Sequence, residues 1–116
     1  MDSLKKYNIQ KFAAQYLQLA RKAAESAGYN PALLDFSDRK EYKLMYDNSY
    51  YFGRNPYGDF LIYSILAAIG ENPKYTRQYA KIKRSGYLAR SAKIPGDWRT
   101  NKFSANNLAR AILWSL

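Results

Sequence analysis

The sequence predicts an all-α fold, a compact single-domain bundle of about five to six short helices linked by Gly and Pro turns. Two observations carry that expectation. Capping residues and stop signals alternate along the chain, with Asn-Pro or Ser opening segments and Gly closing them. Apolar residues recur at three- and four-residue spacing, and no stretch shows the period of two that marks a strand. No internal repeat divides the 116 residues, so residues 1–116 are expected to form one domain with a strongly basic C-terminal part, 72–116.

In the first predicted helix Ile9, Phe12, Ala13, Tyr16, Ala20, Ala23, Ala24 and Ala27 share a face, and Gly28 is placed to end it in a left-handed cap. Asn30-Pro31 restarts the chain as N-cap and first helical residue of a short piece through Leu33, Leu34 and Phe36. Ser37 caps a further predicted helix, which turns Tyr42, Met45 and Tyr46 inward and Arg39, Lys40, Lys43 and Asp47 outward. From Asn48 to Gly58 the run NSYYFGRNPYG breaks helices yet carries four aromatic rings, and it reads as an aromatic-rich loop packed over helix ends. Asp59 caps the apolar helix Phe60–Ile69, and Gly70 stops it. Asn72-Pro73 opens the most charged helix, PKYTRQYAKIKRS, which Gly86 ends, and a short helix from Tyr87 to about Lys93 follows. Ile94 to Lys102, with Pro95-Gly96 inside it, reads as a loop, and Ser104 caps a last helix from Ala105 to about Ser115.

The chain holds no Cys and no His. Disulfides, thiolate chemistry, the Ser-His-Asp triad and the usual zinc and non-haem iron ligand sets are thereby excluded. There is no GxxxxGK[ST] phosphate loop, no GxGxxG after a strand and no GxSxG elbow. Of the 9 carboxylates, Asp35 with Asp38, or Asp38 with Glu41, have the spacing to meet on neighbouring turns, and nothing marks one of the 12 tyrosines as a nucleophile. The protein is therefore read as non-enzymatic, with no catalytic residue, no cofactor and no metal. The longest apolar run, Phe60–Ile69, falls far short of the roughly 20 residues of a membrane span. The opening residues, MDSLKKYNIQ, lack the apolar stretch of a secretory signal, so an intracellular setting (cytoplasm, nucleus or virion) is expected.

Charge supplies the functional expectation. Lys and Arg number 19 against 9 Asp and Glu, a formal charge of +10. Most of the excess lies between Asn72 and Lys102, where Lys74, Arg77, Lys81, Lys83, Arg84, Arg90, Lys93, Arg99 and Lys102 face Asp97 alone. On a helical wheel Lys74, Arg77, Lys81 and Arg84 fall within an arc of about 80°, with Tyr75, Tyr79 and Ile82 nearly opposite. Acidic residues at i+4, the mark of a merely solvated helix face, are missing. The stripe reads as a surface for nucleic acid, DNA in preference to RNA, gripped through phosphate-backbone contacts by those nine basic residues.

The last predicted helix adds Asn106, Asn107 and Arg110, opposite the inward face of Ala105, Leu108, Ala109 and Ile112, as side chains able to read base edges. The connection from Lys93 to Ser104 is longer than the three- or four-residue turn of a helix-turn-helix, so the pattern stops short of that motif. Tyr50, Tyr51, Phe52 and Tyr57 flank Arg54 and Asn55 in the combination of rings and cation that base-stacking platforms use, although core packing is their ordinary role. Trp98 and Trp114 are candidate exposed anchors. The alternative is a structural or adaptor protein, for example a virion, packaging or scaffold component, whose basic Tyr- and Trp-rich face meets an acidic protein or another copy of itself. An anionic membrane surface ranks last, because the basic helix lacks a broad insertion face.

Overall fold

Two successive residues in the left-handed region, Asp47 at φ +53° and Asn48 at φ +54°, overturn the all-α expectation. A two-residue loop with positive φ at both positions is what an antiparallel hairpin requires, and short polar Asp and Asn tolerate it best after Gly. The computed structural model describes residues 2–115. In it the Ser49 N–H closes the loop onto the Tyr46 carbonyl at 3.1 Å. The flanking segments Tyr42–Tyr46 (β2) and Tyr50–Arg54 (β3) pair antiparallel, with Tyr46 opposite Tyr50 and Leu44 opposite Phe52. Leu34–Phe36 (β1) adds to the other edge of β2, giving a three-stranded antiparallel sheet in the order β1-β2-β3.

Both expectations for 37–58, a helix and then an aromatic loop, are thus corrected to a hairpin. Lys, Glu, Leu and Met between 40 and 45 favour a helix locally, but pairing with neighbouring strands overrides so weak a preference. Leu44, Tyr46 and Phe52 are all buried. The short piece after Asn30 is also corrected: Asn30 accepts from the Ala32 N–H as foreseen, but a single 3₁₀ turn, Pro31–Leu33, leads straight into β1.

Five helices pack with the sheet. Asp2–Lys6 (α1) precedes a 3₁₀ turn and the helix Ala13–Ser26 (α2), whose chain reverses at Gly28 with φ +88°. Phe60–Ile69 (α3) has the predicted bounds, with Asp59 accepting from the Ile62 N–H at 2.9 Å and Gly70 left-handed at φ +71°. The fourth helix, Arg77–Ser91 (α4), departs from expectation at both ends. Thr76 caps it, accepting from the Tyr79 N–H at 3.0 Å, whereas Asn72-Pro73 folds into a turn ahead of it. Gly86 does not stop it; the helix runs through that residue, so the two predicted helices are one. Ser104 caps Ala105–Leu108 (α5), which widens into a π turn over Ala109–Leu113 and ends before Ser115.

Charge is buried at one place. Asp59 and Lys43 lie 3.1 Å apart, with side chains 1% and 3% exposed, and they are the one ion pair among the described residues. The Tyr16 hydroxyl donates to Asp59 Oδ2 at 2.7 Å, and Lys43 Nζ donates to the Tyr57 carbonyl at 2.7 Å. Lys43, expected to face outward, is drawn in because each of its protein contacts satisfies a group that would otherwise be buried unpaired. A second junction joins the turn after α2 to the segment before the last helix: Tyr29 Oη donates to the Lys102 carbonyl and Lys102 Nζ donates to the Gly28 carbonyl, each at 2.7 Å. Among the described residues no helix is long and apolar enough to cross a membrane.

Candidate functional site

Helix α4 buries Ala80 and Ser91 and half-buries Arg84, Tyr87 and Leu88, while Ile82, expected on the inner side, is 62% exposed. The helix is therefore rotated from the expected wheel. Small Ala80 faces α3, beside Ser64, Ala67 and Ala68, and small Ser91 meets Asn106 and Arg110 of the last helical segment. Arg84 lies on that inner face, where its Nε donates to the Trp114 carbonyl at 2.7 Å and satisfies the end of the π turn. Part of that inner face is made by two small residues and an arginine stem, which weakens its apolar signal in the sequence.

The predicted basic stripe consequently divides. Arg77 and Lys81 are exposed on one flank of α4, beside Gln78, Ile82 and Ser85. Lys83 and Arg90, seven residues apart and so on one side of the helix, project on the other flank. Lys74 precedes the helix and lies over the Tyr75 ring at 5.5 Å and the Tyr79 ring at 5.9 Å. Arg77, Lys81, Arg90 and Lys93 are exposed, and their side chains make no hydrogen bond or ion pair to the described residues.

Six other predicted contact residues are bonded into the fold. Besides Arg84, Arg99 donates from Nη2 to the Ala92 carbonyl at 2.9 Å and lies 4.2 Å from the Trp98 ring centroid. Lys102 is held at Gly28, as described. Asn106 Nδ2 donates to the Ser91 carbonyl at 3.1 Å, and Asn107 Nδ2 to the carbonyls of Trp98 at 2.6 Å and Asn101 at 2.8 Å. Arg110 donates to the Leu88 carbonyl at 2.8 Å and to Ser91 Oγ. Asn106, Asn107 and Arg110 thus fasten the segment between α4 and α5 instead of projecting from a recognition helix. A long connection without regular structure needs partners for its carbonyls, and that need was the available signal for these amides.

The tryptophans are likewise internal. Trp98 Nε1 donates to the Ile94 carbonyl at 2.7 Å, and Trp114, 7% exposed, stacks flat on Tyr87 with ring centroids 4.3 Å apart. Of the aromatic segment, Phe52 is buried, Tyr50 stacks on Phe103 at 4.9 Å and Tyr51 carries Arg39 at 4.4 Å. Tyr57 alone stands out, 68% exposed.

Between β3, α4 and the last helix the chain leaves a groove of about 680 Å³, which sequence reasoning did not foresee. Tyr42, Phe52, Tyr57, Tyr63, Tyr87 and Trp114 line it together with Arg54, Lys83 and Arg90, and no carboxylate does. Every tyrosine whose pKa is shifted has it raised. Burial is the first cause at Tyr16, Tyr29, Tyr63 and Tyr87, and at Tyr51 the cause is its hydrogen bond to Asp38. None of these five is poised as a phenolate nucleophile. The acidic pairs do not build a centre either: Asp38 accepts from Tyr51 Oη at 2.7 Å and Asp35 from the Phe36 N–H at 2.7 Å. No group of three acidic side chains among the described residues is placed to hold a metal ion.

Comparison with protein-family models, curated proteins and solved structures finds no match to this chain. Those comparisons lend nucleic-acid binding no support, so any reading of the surface rests on the chain's own residues.

Proposed function

We propose that this is a non-enzymatic protein that binds nucleic acid through its phosphates, using the exposed cations of α4 and the turn that follows it. The observation that carries the reading is that the side chains of Arg77, Lys81, Arg90 and Lys93 have no ion pair among the described residues, in a stretch whose one acidic side chain is Asp97. Unpaired cations repel one another and are retained at some cost to the fold, and a polyanion that releases condensed counterions repays that cost. Lys74 and Lys83 extend the set. Arg84, Arg99, Lys102, Asn106, Asn107 and Arg110 are left out of it, because their donors already serve the protein.

The test is fluorescence anisotropy of a labelled oligonucleotide across a salt series, with heparin as competitor. Affinity is expected to fall steeply with salt, and the Arg77→Glu, Lys81→Glu double variant to weaken binding to all sequences alike with a shallower salt slope. Unchanged affinity and slope in that variant would remove the assignment.

A second reading, a structural or adaptor protein, is favoured by the exposure of Ile82 among Arg77, Gln78, Lys81 and Ser85. It predicts self-association or one saturable acidic partner through that flank, and Ile82→Lys abolishes it.

A further inference from the structure

The groove beside β3 brings together flat aromatic walls and a rim of positive charge that no carboxylate of the described residues pairs with. We propose that it takes unpaired bases of a single-stranded nucleic acid, whose phosphates follow the rim. The proposal rests on the nucleic-acid reading above and adds to it the form of nucleic acid and the place where bases go.

Tyr57 is the first observation. A ring 68% exposed contributes little to folding, yet the backbone that carries it is fixed: its N–H donates to the Arg54 carbonyl at 3.2 Å and its carbonyl accepts from buried Lys43 Nζ at 2.7 Å. The next residue, Gly58, has no space for a side chain, since a Cβ there would stand 2.5 Å from Tyr63 Oη. The backbone is held at both polar groups of Tyr57 while the ring stands in solvent, which is the arrangement of a preorganised contact.

The rim is the second. Arg54 comes from β3, and Lys83 and Arg90 come from α4 two turns apart, about 10 Å along the helix. That length passes several phosphates of a strand. The Arg90 side chain makes no hydrogen bond or ion pair to the described residues, Lys83 touches the Tyr79 ring at 5.5 Å, and Arg54 reaches the Tyr42 ring at 6.0 Å. Among the described residues no carboxylate lines the groove to oppose an anion.

The occupant follows from the two together. A ligand must present flat apolar rings inward and negative charge outward at intervals, and an unpaired strand does both. A duplex keeps its bases stacked within, so it offers the rim its phosphates and leaves the rings unused. The volume, about 680 Å³, lies in the range of sites that enclose ligands larger than one ring. Tyr87, stacked flat against Trp114, gives the far side a rigid wall.

The experiment compares a labelled oligothymidylate with an abasic strand of the same length and phosphate number, on the full chain and on Tyr57→Ala. Stacking of a base on an aromatic ring is expected to make the thymidylate bind about tenfold tighter than the abasic strand. Tyr57→Ala is expected to bring it down to the abasic level without changing the salt slope, and Arg54→Gln to lower both strands and the slope. Equal binding of the two strands by the unaltered chain, with normal salt dependence, overturns the base site while leaving phosphate binding intact. Binding of neither strand at low salt overturns both readings.

Discussion

The Tyr16 hydroxyl donates to the Asp59 carboxylate at 2.7 Å where neither side chain meets solvent, and the same carboxylate caps α3 and holds Lys43. One acidic group therefore serves α2, β2 and α3 at once. Removing it strands a buried ammonium and opens a helix end. Asp59→Ala is expected to cost about 3–5 kcal/mol, with Tyr16→Phe costing about 1–3 kcal/mol, both read by urea denaturation. Pairing Asp59→Ala with Lys43→Met is expected to recover part of the loss, since no uncompensated charge then remains. Additive losses in the double variant would contradict the ion pair.

Alkaline pH is expected to weaken the fold. Burial raises the pKa values of Tyr16, Tyr29, Tyr63 and Tyr87, so their folded forms keep the proton where the unfolded chain has lost it. Their contribution is fully present below the ordinary tyrosine value of about 10 and declines as pH rises beyond it. Denaturation midpoints measured from neutral to strongly alkaline pH are expected to fall in that window, and less steeply in Tyr16→Phe. An equal decline in the two proteins would remove Tyr16 as a source.

Glycines separate space from backbone conformation. Gly58→Ala forces a Cβ against two hydroxyls, Tyr63 Oη at 2.5 Å and Tyr7 Oη at 2.9 Å, and is expected to cost about 1–3 kcal/mol. Gly70→Ala meets no atom within 4 Å but sits at φ +71°, and is expected to cost about 1 kcal/mol from backbone strain alone. Thermal unfolding of the two variants measures the order.

Asn107 is expected to behave as a fastener. Asn107→Ala frees the carbonyls of Trp98 and Asn101, so amide exchange between Ser91 and Phe103 is expected to quicken while the sheet is unchanged. A variant with normal exchange but altered preference among nucleic-acid sequences would restore the base-reading role instead.

The helices were legible wherever a cap and a stop flank an apolar period. Asp59 and Gly70 delimit α3 to the residue, and Gly28 ends the chain reversal after α2. The sheet was hidden because its turn is Asp-Asn, without the Gly that usually announces a hairpin, and because Lys43 sits inside an otherwise apolar strand. Lys43 is inward only because Asp59 is there, sixteen residues on, and no local pattern carries that. The site was legible as net charge and not as geometry. Which of the cations stay free depends on carbonyls left open by a π turn and a long connection, and both belong to tertiary structure. The groove, assembled from segments far apart in the chain, has no sequence signature.

The clasp between Tyr29 and Lys102 has a bearing on how the chain divides. Two reciprocal bonds and the Lys102 ammonium over the Tyr29 ring at 4.7 Å weld the end of α2 to the segment before α5, seventy-three positions later. The exposed turn at 71–74 lies between them and contributes no buried side chain. Fragments separated at that turn share this weld and the α3–α4 packing, so they are suited to reassemble when mixed, and the molecule is a natural candidate for a split reporter whose halves recover the intact form.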